Sequence, residues 1–337
     1  MREPEPPTRA PEPPAEPDIG TLAADTGVAA ASGSEAAVVT ALPARGATGP
    51  VAEVGAVGDR TRGLRRTIAY ILIVSYALLM FVPFIWTIIT SIKTRPDSLN
   101  LSIIPQPVSF EGWQYTLGQL EPSIVTLFAN SAILAGAVTI TNLVLGSLGG
   151  YAFARLRFPG REILFLIVLA TLMIPDPLRL VPLYVLFTEL GLTQGIGQYV
   201  SIVLVLAISA TSIFLLRQYF LTIPRDLEEA ARMDGAGFFT TFLRVMLPLA
   251  TPALAAVAIL QFQGTWNAFL WPVILLRDQD HWTIPLALYL FRESGGFSTN
   301  WPPLMAVVVI ATIPILVLYV FFQRYFVEGI AASGVKG

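Results

Sequence analysis

Long stretches of this chain carry no charged side chain, and that property limits its fold more than any other. Uncharged runs extend from Thr67 to Ile92, Pro122 to Ala154, Leu190 to Leu216, Val245 to Leu276 and Ser294 to Gln323. A shorter one, Ile163 to Pro175, resumes its apolar character beyond Asp176 and Arg179 as LVPLYVLFTELGL. About 20 mostly apolar residues suffice to cross a bilayer as a helix. Hydrocarbon offers no partner to a backbone N–H or C=O, so such spans are helical. Composition agrees: 54% of residues are hydrophobic and 13% charged, with a mean hydropathy of +0.67. Soluble domains carry about 25% charged residues.

These runs predict an all-α membrane protein with six transmembrane helices, at about 67–92, 124–150, 162–182, 196–217, 249–275 and 303–324. The third ends near an IPDPLR break, followed by a short amphipathic piece at the interface. With the N-terminus in the cytoplasm, 16 of the 21 Lys and Arg residues fall inside and five outside. That distribution follows the positive-inside rule and puts the C-terminus in the cytoplasm too. Trp86, Trp113, Trp271, Trp282 and Trp301 then lie near the outer boundaries, where indole rings suit the interface.

Residues 1–62 differ in kind from the membrane domain, 63–337. The first sixty hold nine of the 26 prolines, no aromatic residue, and nine acidic against four basic side chains. Such a segment cannot bury enough apolar surface to offset its ordering entropy. It predicts a disordered cytoplasmic tail. It lacks the basic start and apolar core of a signal peptide.

Several chemistries are excluded. Without cysteine there is no disulfide, thiolate nucleophile or Cys-ligated metal. His281 stands alone, so no histidine metal cluster or triad is expected. Neither lysine, Lys93 or Lys336, lies in a glycine-rich phosphate loop. No span carries an evident internal acid for proton coupling; Asp176 and Arg179 come nearest, and read as an interfacial pair. No catalytic residue, metal site or bound cofactor is expected on this chain, and no nucleic acid among its partners. If it transports a solute, energy enters through another protein.

One polar segment, DLEEAARMDGAGFFTTFLRVMLP from Asp226 to Pro248, interrupts the apolar runs. Pro224 suits a first helical turn. Asp226, Glu228 and Glu229 follow where the helix dipole favours negative charge. Leu227, Ala230, Ala231 and Asp234 share one small, smooth face. Gly235 is placed to end the helix in a left-handed conformation. Phe238, Phe239, Phe242, Val245 and Met246 give a second helix an apolar stripe, and Pro248 precedes the fifth span. The expected shape is a helix–turn–helix between spans 4 and 5. By helix grammar alone it reads as an amphipathic interfacial hairpin that connects the two spans.

The spacing adds to this. Glu229-Ala230-Ala231, three residues, Gly235, nine residues, Val245, one residue and Leu247-Pro248 resembles the EAA loop of ABC importer permeases. The ending FFQRYFVEGIAASGVKG and the RLRFPG after span 2 resemble the second permease subunit of maltose-type carbohydrate importers. The resemblance covers about residues 65–337 and omits the tail.

The resemblance implies a cytoplasmic coupling helix docked on an ATPase dimer, whose closure drives the spans between inward-open and outward-open states. Glu228, Glu229, Ala230, Ala231, Asp234, Gly235 and Pro248 would form the coupling site, with ATP held by the ATPase subunits. Glu229, or Glu228 in its place, would make the charged contact; Arg232 and Asp234 would brace the hairpin. Further partners implied are a second permease subunit, an extracytoplasmic solute-binding protein touching the 277–303 loop, and membrane lipid. Gly334 to Gly337 would reach into the ATPase dimer. For the solute pathway, polar and aromatic residues inside spans are candidates: Asn130, Asn142, Gln261, Gln263, Trp266 and Asn267. Their alternative is polar adhesion between helices. The function expected is ATP-driven import of a sugar or oligosaccharide. A related solute such as glycerol-3-phosphate, a membrane docking or assembly protein, and a proton-coupled transporter are the alternatives.

Overall fold

A computed structural model describes residues 57–293 and 300–334, with side-chain surroundings for 63–292 and 300–323. The tail expected at 1–62 falls outside these residues except for its last six. So do most of the ESGGFSTN loop and the last three residues of the C-terminal segment. Two units divide the chain, Met1–Leu64 and Arg65–Gly337; of the first only the start of α1 is described.

No strand occurs among the described residues. The long helices are α1 (Val57–Ser91), α3 (Ile124–Arg155) and α14 (Trp301–Gly334), with α2 (Glu111–Gly118) between the first two. Between α3 and α14 lie α4 (Arg161–Ala170), α5 (Asp176–Glu189), α6 (Gly197–Leu206), α7 (Ala210–Thr222) and α8 (Asp226–Met233). They are followed by α9 (Phe238–Thr241), α10 (Leu247–Leu249), α11 (Thr251–Trp266), α12 (Leu270–Leu275) and α13 (Ile284–Glu293).

Three stretches are long and apolar enough to cross a membrane as single helices: Gly63–Ser91, Ile124–Arg155 and Trp301–Gln323. Three further pairs qualify only as bent units, and counting each pair as one span gives up to six. Arg161–Met173 meets Asp176–Glu189 at 99°, Gly197–Leu206 meets Ala210–Thr222 at 45°, and Phe238–Leu249 meets Thr251–Trp266 at 77°. The first bend has a local cause. Pro175 disfavours the α region for the residue before it, and Ile174 is extended at φ −87°, ψ 110°. The expected 162–182 helix therefore runs through a corner, at the IPDPLR break. The expected 249–275 helix is also interrupted, at Asn267–Phe269. Pro272 lacks the N–H that would bond Ala268, and the helix restarts at Leu270. At the N-terminal side α1 begins at Val57, inside the stretch expected to be tail.

α3 is the centre, lying against α7 and α11 along most of its length. Gly146-Ser-Leu-Gly-Gly150 makes this possible. A Cβ at Gly150 would lie 2.9 Å from the Arg217 amide nitrogen, and one at Gly146 3.1 Å from Ser212 Cβ. Membrane helices lack a hydrophobic drive between them and associate through such close backbone contact.

Three buried clusters surround α3. Leu127, Trp266, Ile284 and Val307 fill one end. Leu134, Phe187, Ile202, Trp271 and Leu286 fill the middle. Tyr151, Leu216, Phe220, Phe242 and Met246 fill the other end. Twenty-five residues separate Asn130 from Arg155, about 38 Å along a straight helix, or more than a hydrocarbon core. These two ends of α3 hold different machinery.

Candidate functional site

The helix–turn–helix is built at the Arg155 end. α8 starts at Asp226, so Pro224 stands just before the helix rather than in its first turn. Asp226, Glu228 and Glu229 occupy the first turn. Gly235 has φ 80°, the left-handed turn expected of it, and the Ala236 amide donates to the Ala231 carbonyl at 2.9 Å. α9 then passes into a π-helical turn, Phe242–Met246. Pro248 cannot donate to the Arg244 carbonyl and its ring crowds it; the wider turn accommodates both before α10. Ala250 is the corner from which α11 leaves.

An aromatic platform holds the hairpin. The Tyr151 ring lies 5.6 Å from Phe220, 5.3 Å from Phe238 and 5.0 Å from Phe242, between ring centres. Phe242 and Met246 are buried in it.

The two glutamates differ in burial. Glu228 is 5% exposed. Its carboxylate forms an ion pair with Arg155, Nε to Oε1 2.9 Å, with both side chains nearly inaccessible. Arg232 approaches its other oxygen at 4.0 Å, and the Tyr151 hydroxyl lies against it. Arg155 donates also to the Phe220 carbonyl at 2.6 Å and to that of Ile223. One guanidinium thus joins α3, the end of α7 and α8. Glu229 is exposed, with Leu227, Ala230 and Asp234; Ala231 is half-buried. Of the expected braces, Arg232 reaches Glu228, whereas Asp234 makes no ion pair among the described residues. Sequence reasoning passed over Arg155 and Tyr151. The available signal was one arginine closing the long uncharged run that starts at Pro122.

The pathway candidates separate into two groups. Asn130 Nδ2 donates to the carbonyls of Asp280 and Trp282 at 2.7 and 2.9 Å, and Ser131 Oγ accepts from the Ile284 amide at 2.9 Å. They fasten the 277–284 segment to α3. Asn142 is fully buried and sits at the α6–α7 bend. Its Nδ2 donates to Leu206 O at 2.6 Å, and its Oδ1 accepts from Ser209 N at 2.9 Å and Ser212 Oγ at 3.2 Å. Gln261 continues the network, donating to Ser212 Oγ at 2.9 Å. Trp266 is buried and donates to Ala311 O at 3.0 Å, stacked on Phe262. These four do what polar adhesion between helices requires. Gln263 and Asn267 form the second group: both are exposed beside exposed Gly264, and Asn267 Nδ2 donates to Gln263 O at 3.0 Å.

Comparison with known proteins fits this geometry. Residues 142–331, which include the hairpin and both ends of α11, match the model of the family described as binding-protein-dependent transport system inner membrane component. The chain belongs to that family. The permease is 34% identical over 278 residues to the arabinooligosaccharides transport system permease protein AraQ of Halalkalibacterium halodurans, covering 80% of this chain and 97% of that one. It is 30% identical over 280 residues to the sn-glycerol-3-phosphate transport system permease protein UgpE of Yersinia enterocolitica, covering 82% and 99%. Its fold resembles a chain in the crystal structure of a bacterial ABC transporter involved in the import of the acidic polysaccharide alginate. That match has TM-score 0.67 and 28% identity, over 80% of this chain and 98% of that one. The permease is thus a multi-pass membrane protein of a transport family, not of an enzyme family, and the family works with a binding protein.

Proposed function

We propose that this permease is one membrane subunit of an ATP-driven importer for a sugar or oligosaccharide, with α8 as the helix that docks on a cytoplasmic ATPase. Each bent pair counts as one span, giving six, with both termini in the cytoplasm as the arginine distribution favours. The chain itself has no catalytic role; a second permease and an extracytoplasmic binding protein complete the assembly. The carrying observation is the division of labour in α8: Glu228 is consumed internally, while Glu229 is exposed, as are Leu227, Ala230 and Asp234. Glu229 is therefore the glutamate that meets the ATPase, and Gly235 and Pro248 set the angle at which α8 is presented. Carbohydrate is favoured as cargo because AraQ and the alginate importer carry carbohydrates and AraQ exceeds UgpE in identity. Gln263 and Asn267 are the pathway residues best exposed to touch it.

The test is co-purification and uptake. Glu229→Lys is expected to leave membrane insertion intact and to abolish ATPase co-purification and uptake of labelled oligosaccharide. Unchanged co-purification would reject α8 as the dock. Uptake of glycerol-3-phosphate but of no sugar would replace the cargo.

A further inference from the structure

Beside the hairpin lie two adjoining cavities, whose lining meets the coupling helix at Glu228 and Glu229. The larger, about 760 Å³, is lined by residues 157–163 and Arg225. The smaller, about 350 Å³, is lined by Arg155, Leu156, Arg157, Arg225, Glu228, Glu229 and Arg232. Together they present five arginines and three glutamates, an excess of two positive charges. Most of these groups are already committed: Arg155 and Arg232 to Glu228, and Arg161 to Glu162, which Arg217 also reaches from outside the cavities. Arg157 and Arg225, which line both cavities, are exposed, and their side chains have no ion pair or hydrogen bond among the described residues. With Glu229, which also lines the smaller cavity and has no ion pair among the described residues, they are the uncommitted lining groups, and the two arginines exceed the glutamate by one charge.

The larger cavity also opens on apolar surface. Ile163 lines it, and α4 continues with exposed Ile163, Leu166 and Ile167, each more than half accessible. A charged floor that runs directly onto an apolar helix suits a ligand with both characters. A free phosphate or an acidic protein surface would leave the α4 face uncovered. Basic pockets between transmembrane helices on the cytoplasmic side hold anionic headgroups by this arrangement.

We propose that Arg157 and Arg225 bind the phosphodiester of an anionic phospholipid of the cytoplasmic leaflet, with an acyl chain along Ile163, Leu166 and Ile167. The proposal rests on the orientation given under Proposed function. Native mass spectrometry of the purified assembly tests it, after exchange into equal phosphatidylglycerol and phosphatidylcholine of matched acyl chains. The assembly is expected to retain phosphatidylglycerol selectively, by roughly a fivefold factor for each arginine. Arg157→Gln/Arg225→Gln loses the selectivity, Arg157→Lys/Arg225→Lys keeps most of it, and neither alters ATPase co-purification.

No selectivity in the wild type, or undiminished selectivity in the Gln pair, overturns the site. Displacement of the lipid by millimolar inorganic phosphate would assign it to a free anion instead. A Gln pair that loses the ATPase but keeps its lipid would make the cleft a protein contact. If the wild type itself fails to co-purify with an ATPase, it is the coupling reading that fails, since lipid retention is read separately.

Discussion

Arg155 and Glu228 form a buried ion pair, Nε to Oε1 2.9 Å, that ties the end of α3 to the first turns of α8. α3 is also the helix whose other end holds the 277–284 segment through Asn130 and Ser131. The same helix therefore contacts both α8 and the 277–284 segment. Removing one member of a buried pair leaves the other charge uncompensated, at a cost of about 3–5 kcal/mol, while replacing both with apolar groups is often neutral. Glu228→Leu and Arg155→Met should each lower the thermal stability of the purified permease strongly. Arg155→Met/Glu228→Leu should recover most of the loss. A double-mutant cycle by thermal unfolding checks this, and additive losses would contradict the pairing.

Asn142 repairs the bend between α6 and α7. Asn142→Leu leaves the Leu206 carbonyl and the Ser209 amide without that partner, at about 1–3 kcal/mol each. The expected outcome is a lower unfolding temperature and faster amide exchange localised at residues 206–210. Exchange unchanged there would mean the bend holds without the asparagine.

Gly150 sets how closely α3 approaches α7. Gly150→Leu would drive a side chain into the Arg217 backbone, whereas Gly136 has open space around its Cβ position. Overpacking typically costs about 1–3 kcal/mol. Gly150→Leu should reduce the yield of folded permease in detergent while Gly136→Ala is neutral; equal yields would reject the contact.

Trp266 and Gln263 should separate stability from cargo handling. Trp266→Ala empties a buried site, for which about 3–5 kcal/mol is typical, and should show as reduced thermal stability. Gln263→Ala removes an exposed amide and should leave stability unchanged while altering the KM for uptake. An unchanged KM would remove Gln263 from the pathway.

Much of this molecule is legible before any coordinates. Uncharged runs locate the membrane helices because lipid tolerates few unpaired charges, and those runs are local in the chain. Gly235 declares its left-handed turn because only the residue type without a Cβ adopts φ 80° freely. The spacing from Glu229 to Pro248 marks the hairpin for the same reason: helix starts, turns and proline stops are short-range grammar.

Other features depend on partners distant in sequence. Pro175 signals a break, but not that α4 and α5 meet at 99°. The α6–α7 bend has no proline within it, and it closes on an asparagine more than sixty residues earlier in the chain. Asn130, Asn142 and Trp266 are pathway candidates in the sequence because a polar group inside a span is costly. Whether that cost is met by a solute or by a neighbouring backbone is decided by what lies across the helix interface. The same holds for the glutamates. Adjacent in sequence and alike in chemistry, Glu228 and Glu229 differ by about 100° around α8. Only the arrival of Arg155 from α3 makes one of them structural and leaves the other free.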